Sequence, residues 1–266
     1  MPVEPRPAAS VLLVRHAAPL ETYMIRRARE MRFLGGYYAF PGGKVDLADR
    51  RVEALRRTRG LDPDEAARRL GDGDDGVPAL AYWVTAVREL FEETGLLLAV
   101  DAAGRPVDAH APGVAERLEA HRGSLVRGER SFTAVLEDEG VFADLEPLTY
   151  FSHFITPPSS PIRFSARFFL CPLPAGQSPR LILEETTEGF WVPPAVAHAH
   201  LAAGEWPMAE PAEYGTQYLA QFESYEAVWA AHTDGRPRLH GIIHRLDAGR
   251  QYRPRSQEAA ARRAGP

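Results

Sequence analysis

The sequence predicts a layered α/β or α+β fold, with strands and helices mixed irregularly around one core. Three observations predict it. Short β-branched apolar runs such as Val11-Leu12-Leu13-Val14 suit buried strands, a longer stretch from Pro78 carries an apolar stripe at helical spacing, and no internal repeat organises the rest.

Ala9 to Arg15 reads as a first strand, Tyr23 to Arg27 as a second and Gly35 to Phe40 as a third, which runs into the turn residues Pro41-Gly42-Gly43. Between Asp49 and about Gly76 the texture turns to Arg, Ala, Asp and Glu. There Asp62-Pro63-Asp64-Glu65 supplies an N-cap, a proline at the first helical position and a glutamate at the third, and Gly71 supplies a stop. Gly71-Asp72-Gly73-Asp74-Asp75-Gly76 lacks the alternating ligands and distal glutamate of a calcium loop, so it reads as a turn. From Pro78, Leu80, Trp83, Val87, Leu90 and Phe91 form the stripe of a longer helix that Gly95 ends, and Leu96 to Val100 resumes strand character. Helices follow at Val114 to His121 and Phe132 to Glu137, with strands at Leu148 to Ile155, Arg163 to Leu170 and Gly189 to Val192. Two amphipathic helices within Pro194 to Ala231 and a strand at Leu239 to Leu246 complete the pattern.

A chain of 266 residues, 45% hydrophobic and 25% charged, is long enough to bury a sizeable core. Its net charge of −5 argues against a general nucleic-acid coat, which needs a basic surface to displace counterions. From Arg236 to Pro266, eight arginines face only Asp247 and Glu258, a local +6 that leaves −11 for the preceding residues. Such a tail can attract an anionic ligand, but a solvated terminus is its commoner meaning. Cys171 stands alone, so no disulfide framework or thiolate metal site is expected. With no long apolar run, the expectation is a soluble chain in a reducing, cytoplasmic setting, with no membrane partner.

The chemistry points to one helix. Glu89, Glu92 and Glu93 stand at i, i+3 and i+4, so their carboxylates emerge from one face a turn apart, opposite the apolar stripe. Three like charges this close need solvation or neutralisation, and hard cations such as Mg²⁺ take oxygen ligands of this kind. Alone, the cluster more readily describes a solvated acidic face with an Arg88–Glu92 pair, since three carboxylates on a helix are common.

The wider pattern weighs against the bland account. Arg88-Glu89-Leu90-Phe91-Glu92-Glu93-Thr94-Gly95-Leu96 resembles the second half of the signature of the Nudix hydrolases, G-x5-E-x7-R-E-U-x-E-E-x-G-U, at every specified position. Gly43 fits its first glycine, and Asp49 stands where the family has glutamate. Between Asp49 and Arg88 lie 38 residues in place of seven, an insertion of 31. Phe40-Pro41-Gly42-Gly43, Phe151 to Pro157 and Arg163 to Leu170 look like the peroxisomal coenzyme A diphosphatase-type subgroup, and the resemblance spans about residues 9 to 232.

That resemblance implies a mixed β-sheet sandwiched between helices, here a domain over 1–235 with a helical insertion at about 50–77 and a basic extension over 236–266. It implies one to three Mg²⁺ (or Mn²⁺) ions on Glu89, Glu92, Glu93 and the Gly43 carbonyl, with Arg88 bracing loop and helix. Glu89 is a candidate ligand and base, and Glu184, Glu185 and Glu188 stay open as bases. The implied reaction is cleavage of a diphosphate linkage in a nucleotide-like small molecule. Coenzyme A or its acyl derivative leads, ahead of ADP-ribose, a dinucleoside polyphosphate or an oxidised nucleotide. A non-catalytic nucleotide-binding module is the reading of a different class.

Arg26, Arg27, Gly42 and Arg163 are candidate substrate contacts, since an arginine near a glycine loop can grip phosphate bidentately. For the arginines, including Arg167, a solvated strand edge is an equal account. The pairs His198/His200 and His240/His244 lack the partners of a zinc motif, and Trp191 reads as core or site wall. His153 has no role that the sequence alone supplies, and a homodimer is left open.

Overall fold

Burial on both faces makes β1 (Arg6–Arg15) the centre of the main sheet. Val11 and Leu13 enter one core and Leu12 and Val14 the other, because successive side chains of a strand point to opposite faces. The computed structural model describes residues 3–31, 34–71, 76–109, 111–180 and 186–232, and the backbone alone at Thr186 and at 243–245. Around β1 lie β2 (Glu21–Arg27), β3 (Tyr38–Ala39) and β4 (Gly42–Lys44). A short helix α1 (Val52–Arg56), β5 (Thr58–Arg59) and α2 (Pro63–Leu70) fill the span before α3 (Ala79–Thr94). Then come β6 (Ala99–Val100), α4 (Val114–Val126), α5 (Phe132–Asp138), β7 (Phe142–Asp144), β8 (Thr149–Ile155), β9 (Phe164–Pro172) and β10 (Thr186–Val192). Last are α6 (Pro194–Ala202), α7 (Glu210–Leu219), α8 (Tyr225–Ala230) and β11 (Ile243–Arg245).

The sheet runs β10-β2-β1-β9-β8-β11, with β3 beside β2 and β4 beside β1. It is mixed: β1 lies parallel to β9 and antiparallel to β2 and β4. Helices α2 to α5 cover one face around Trp83, Val87 and Phe91, and α6 to α8 cover the other around Phe151, Phe168 and Leu219. Burying one such large side chain contributes roughly 1.5–3 kcal/mol, so the two layers clamp the sheet. The expected sandwich of a mixed sheet between helices is what forms.

Register then decides what meets α3. Ala9 pairs with Gly43 on one side and Arg167 on the other, and Arg167 pairs with His153. Paired residues share a face, so Gly43, Ala9, Arg167 and His153 form a row across the sheet.

Several elements differ from the sequence reading. The strand expected over Gly35 to Phe40 shrinks to Tyr38–Ala39, and that over Leu96 to Val100 to Ala99–Val100. At Leu97 the Gln177 side chain replaces a strand neighbour, its amide donating to the Leu97 carbonyl and accepting from the Leu97 N–H, both at 2.9 Å. A second sheet, β5-β7-β6, goes unforeseen because its strands are two or three residues long. Three helices, not two, occupy 194–231, since the Ser224 hydroxyl accepts from the Ala227 N–H and starts a new one. The Asp62 cap on Glu65 and the left-handed Gly71 of α2 stand as read. The Asp-Gly run falls mostly, and the strand from Leu239 partly, outside the described residues.

Candidate active site

Helix α3 is held on nearly all sides. From Leu80 to Phe91 every residue is buried, and Gly95 ends the helix in the left-handed conformation, its N–H donating to the Phe91 carbonyl at 2.8 Å. Only in the last two turns does the helix carry acids, and there they face the β4 turn.

Arg88 is the hub. Its Nη1 lies 2.9 Å from Glu89 Oε1 and 3.0 Å from Glu92 Oε1, while its Nη2 donates to the Lys44 carbonyl at 2.7 Å and to Asp49 Oδ2 at 3.0 Å. Nε adds a bond to Asp49 Oδ1 at 3.0 Å. Asp49, only 2% exposed, also accepts from the Thr85 hydroxyl at 2.9 Å and from the Asp46 N–H at 3.0 Å. The excursion between Asp49 and Arg88 therefore returns to the same point, and Asp49 is bound to the helix that carries the acids.

The glycine turn meets Glu93 at Gly42 and Glu89 at Gly43. Glu93 Oε2 accepts the Gly42 N–H at 2.8 Å. At Gly43 any Cβ would stand 2.6 Å from the Glu89 carboxyl carbon and 2.7 Å from Oε2, so the carboxylate occupies the room that the missing side chain leaves. Gly42, at φ +153°, would drive a Cβ into Ser10, and that close approach of backbones requires glycine.

Charge does not balance here. Asp46, Asp49, Glu89 and Glu92 all lie within ion-pair distance of the single guanidinium of Arg88, and Glu93 is one residue further on. Burial pushes the Glu89 carboxyl up to about 7; Arg88 works against that shift and Glu92 adds to it. Burial also raises Glu92, again against Arg88. Arg88 is itself desolvated, but Glu89, Asp49 and Glu92 outweigh that and hold it firmly protonated. Among the described residues no three His, Cys, Asp or Glu side chains already converge on one point, because Arg88 draws Glu89 and Glu92 while Gly42 draws Glu93. The donor set nonetheless suits a hard divalent cation: it is all oxygen, it has surplus negative charge, and it sits against a glycine cradle.

The model of the NUDT19 Nudix domain family matches residues 5–219. The chain belongs to the Nudix hydrolase family. This Nudix chain is 28% identical over 227 residues to a human protein described as "Acyl-coenzyme A diphosphatase NUDT19", covering 76% of the chain and 60% of that protein. It is 25% identical over 221 residues to "Putative nudix hydrolase 7" of Caenorhabditis elegans, covering 83% of the chain and 62% of the relative. It thus spans about three fifths of the length of these curated relatives. Among solved structures, a Nudix hydrolase from Alicyclobacillus acidocaldarius superposes with a TM-score of 0.70 at 33% identity, covering 86% of this chain and 96% of that one.

The remaining candidates scatter around the Nudix helix. Arg26 pairs with Glu188 at 3.0 Å and stacks on Tyr38, so Glu188, one open candidate for the base, is tied to the arginine opposite it on β2. Glu184 and Glu185 lie outside the described residues. Arg27 is half-buried on the same strand, and its Nε has no hydrogen-bond partner among the described residues. Arg163 is not brought to the cluster: its guanidinium donates to the carbonyls of Thr156 at 2.9 Å and Val3 at 2.6 Å. It stands four residues along the chain from Arg167 and the row through Gly43, roughly 13 Å on a strand.

His153 and Arg167, in that row, are buried; His153 Nε2 is 2.7 Å from Ser165 Oγ and Arg167 lies over the Tyr82 ring of α3. His198 and His200 do not converge, since the first contacts Gln217 and the second Glu205 and Trp206. His240 and the side chain of His244 lie outside the described residues. Trp191 packs edge-on to Tyr23 under Arg15. Sequence reasoning missed Thr85 and Asp46. Thr85 lies one turn before Arg88, so helical spacing could have found it.

Proposed function

We propose that this chain hydrolyses a diphosphate linkage in a nucleoside diphosphate derivative with the help of a divalent cation, and that its substrate is coenzyme A or an acyl-coenzyme A. The products are 3′,5′-ADP and the corresponding phosphopantetheine. One observation carries the reading: carboxylates in excess of the one guanidinium that braces them, packed against a Gly42-Gly43 turn. The coenzyme A assignment draws support from the matched family and from the human relative's description as an acyl-coenzyme A diphosphatase.

In this reading Glu89, Glu92, Glu93 and the Gly43 carbonyl hold Mg²⁺ or Mn²⁺. When bound, such a cation neutralises diphosphate oxygens and lowers the pKa of water. The chain does the rest. Arg88 keeps Glu89 and Glu92 aligned through a planar group that cannot lose its proton, and the Gly42 N–H orients Glu93. Water adds to phosphorus, the bridging P–O bond breaks, and one carboxylate, Glu89 by position, accepts the water's proton. Arg26 and Arg27, at the end of the strand that pairs with Tyr38–Ala39 ahead of the glycine turn, are the proposed phosphate contacts.

Turnover of coenzyme A, acyl-coenzyme A, ADP-ribose, a dinucleoside tetraphosphate and an oxidised nucleotide with Mg²⁺, for the wild type and for Glu92→Gln and Glu93→Gln, tests this. Fast coenzyme A turnover that both variants reduce by roughly 10³-fold or more, with the fold intact, is expected. Rapid ADP-ribose cleavage without coenzyme A turnover would retire the substrate, and binding without any cleavage would make the chain a nucleotide-sensing module.

A further inference from the structure

Arg122, on α4, is fully buried, yet among the described residues no strong ion pair accounts for its place there. The carboxylate paired with it is Glu119 Oε2, 3.7 Å from Nη1 on a half-exposed side chain, and Nη1 and Nη2 have no hydrogen-bond partner among the described residues. What the guanidinium does hold is the end of the acidic helix. Its Nε donates to the Glu92 carbonyl at 2.9 Å.

That bond completes a set. The last carbonyls of a helix have no partner within it, and here each of three finds a separate donor: Phe91 takes the Gly95 N–H, Glu92 takes Arg122, and Thr94 takes the Arg180 N–H at 2.7 Å. Arg122 is the one cation among these donors, at the helix end that favours positive charge. Gly95 is shaped to it as well, since a Cβ there would stand 3.1 Å from Nη1. Tyr23 and Glu93 both feel its charge.

A desolvated guanidinium with idle donors is a costly way to cap a helix, because neutral side chains do so without burying charge. Its placement against the very turn that carries Glu92 and Glu93 calls for a functional account. We propose that Arg122 is a positioning residue of the active site, which clamps the last turn of α3 through the Glu92 carbonyl and so fixes the directions of the Glu92 and Glu93 carboxylates. This rests on the metal-dependent hydrolase reading above. A lysine in its place keeps the charge but not the planar fork, so it does not restore the clamp.

The test uses the full chain, with Arg122→Met and Arg122→Lys beside the wild type. Three quantities are read below the melting temperature of each: Mn²⁺ affinity by electron paramagnetic resonance, kcat, and KM on the best substrate. Expected are a Mn²⁺ affinity weakened about tenfold or more and a kcat lowered about tenfold to a hundredfold, with KM changed less than about threefold. If Arg122→Met does not fold, Arg122→Lys carries the test with the same expectations. A purely structural arginine would give a lower melting temperature with Mn²⁺ affinity and kcat at wild-type values, and that result overturns the proposal. A wild type that neither binds Mn²⁺ nor cleaves any diphosphate overturns the hydrolase reading and this one together.

Discussion

Arg88 sits among four carboxylates, and the sign of that imbalance determines how substitutions there behave. Removing the guanidinium leaves Asp49, Glu89 and Glu92 buried or half-buried without their cation, whereas removing Asp49 still leaves Arg88 three carboxylates, Glu89, Glu92 and the more distant Asp46. Breaking a buried pair in the first sense costs about 3–5 kcal/mol. Arg88→Ala should therefore destabilise by about that amount in urea unfolding, and Asp49→Asn by clearly less, because the amide keeps the Thr85 contact. Equal losses, or an Arg88→Ala cost below ~1 kcal/mol, would mean the hub is not holding the site. Gly43→Ala separates function from fold: the new methyl meets the Glu89 carboxylate, a side chain that can swing aside. The chain should fold normally and lose about a hundredfold in kcat, the scale set by a displacement of about 1 Å. Unchanged kcat would show that the position of Glu89 is immaterial.

At the level of elements, the region between Asp49 and α3 leaves and returns at one place, because Asp49 is joined to α3 through Arg88 and Thr85. Inside it, α2 carries its own start and stop, so its stability can be tuned without touching chemistry. Asp62→Ala removes the acceptor for the Glu65 N–H and should cost ~1 kcal/mol by thermal or urea unfolding while kcat stays at the wild-type level. A fall in kcat parallel to the loss of stability would tie α2 to the site. Elements of this kind were legible in the sequence because their signals are local: the cap, proline and glycine of α2, the apolar stripe of α3 and the burial of β1. Strands β3 and β6 lay inside longer strands read from the sequence, the second of which overran because the Gln177 amide takes a strand neighbour's place at Leu97, while the two-residue β5 was not legible, since its pairing is set by a partner distant in the chain.

On the scale of the whole molecule, the sheet's register and the two helical layers bring together groups that lie far apart in sequence. Gly43, Ala9, Arg167 and His153 align only when β1 pairs with β4 and β9, and α3 then lies with Glu89 over the glycine. The spacing of the acids put them on one helix face, and the resemblance to the Nudix signature singled out Arg88 and Gly43. That Asp49 pairs with Arg88 could not be read, because 38 residues intervene, and the fold alone closes that gap. Arg122 was silent for the same reason: its partner is a backbone carbonyl 30 residues away. Conversely, Arg163 looked like a phosphate ligand by residue type, and its backbone partners give it a structural place. The most direct measurement of the central claim is a crystal of the full chain soaked in Mn²⁺, with anomalous data collected at the manganese edge. The expected map has a peak within coordination distance of Glu89, Glu92 or Glu93 oxygens beside Gly43, lost in Glu92→Gln. A peak elsewhere, or none with the acids still closed on Arg88 and Gly42, would contradict the account.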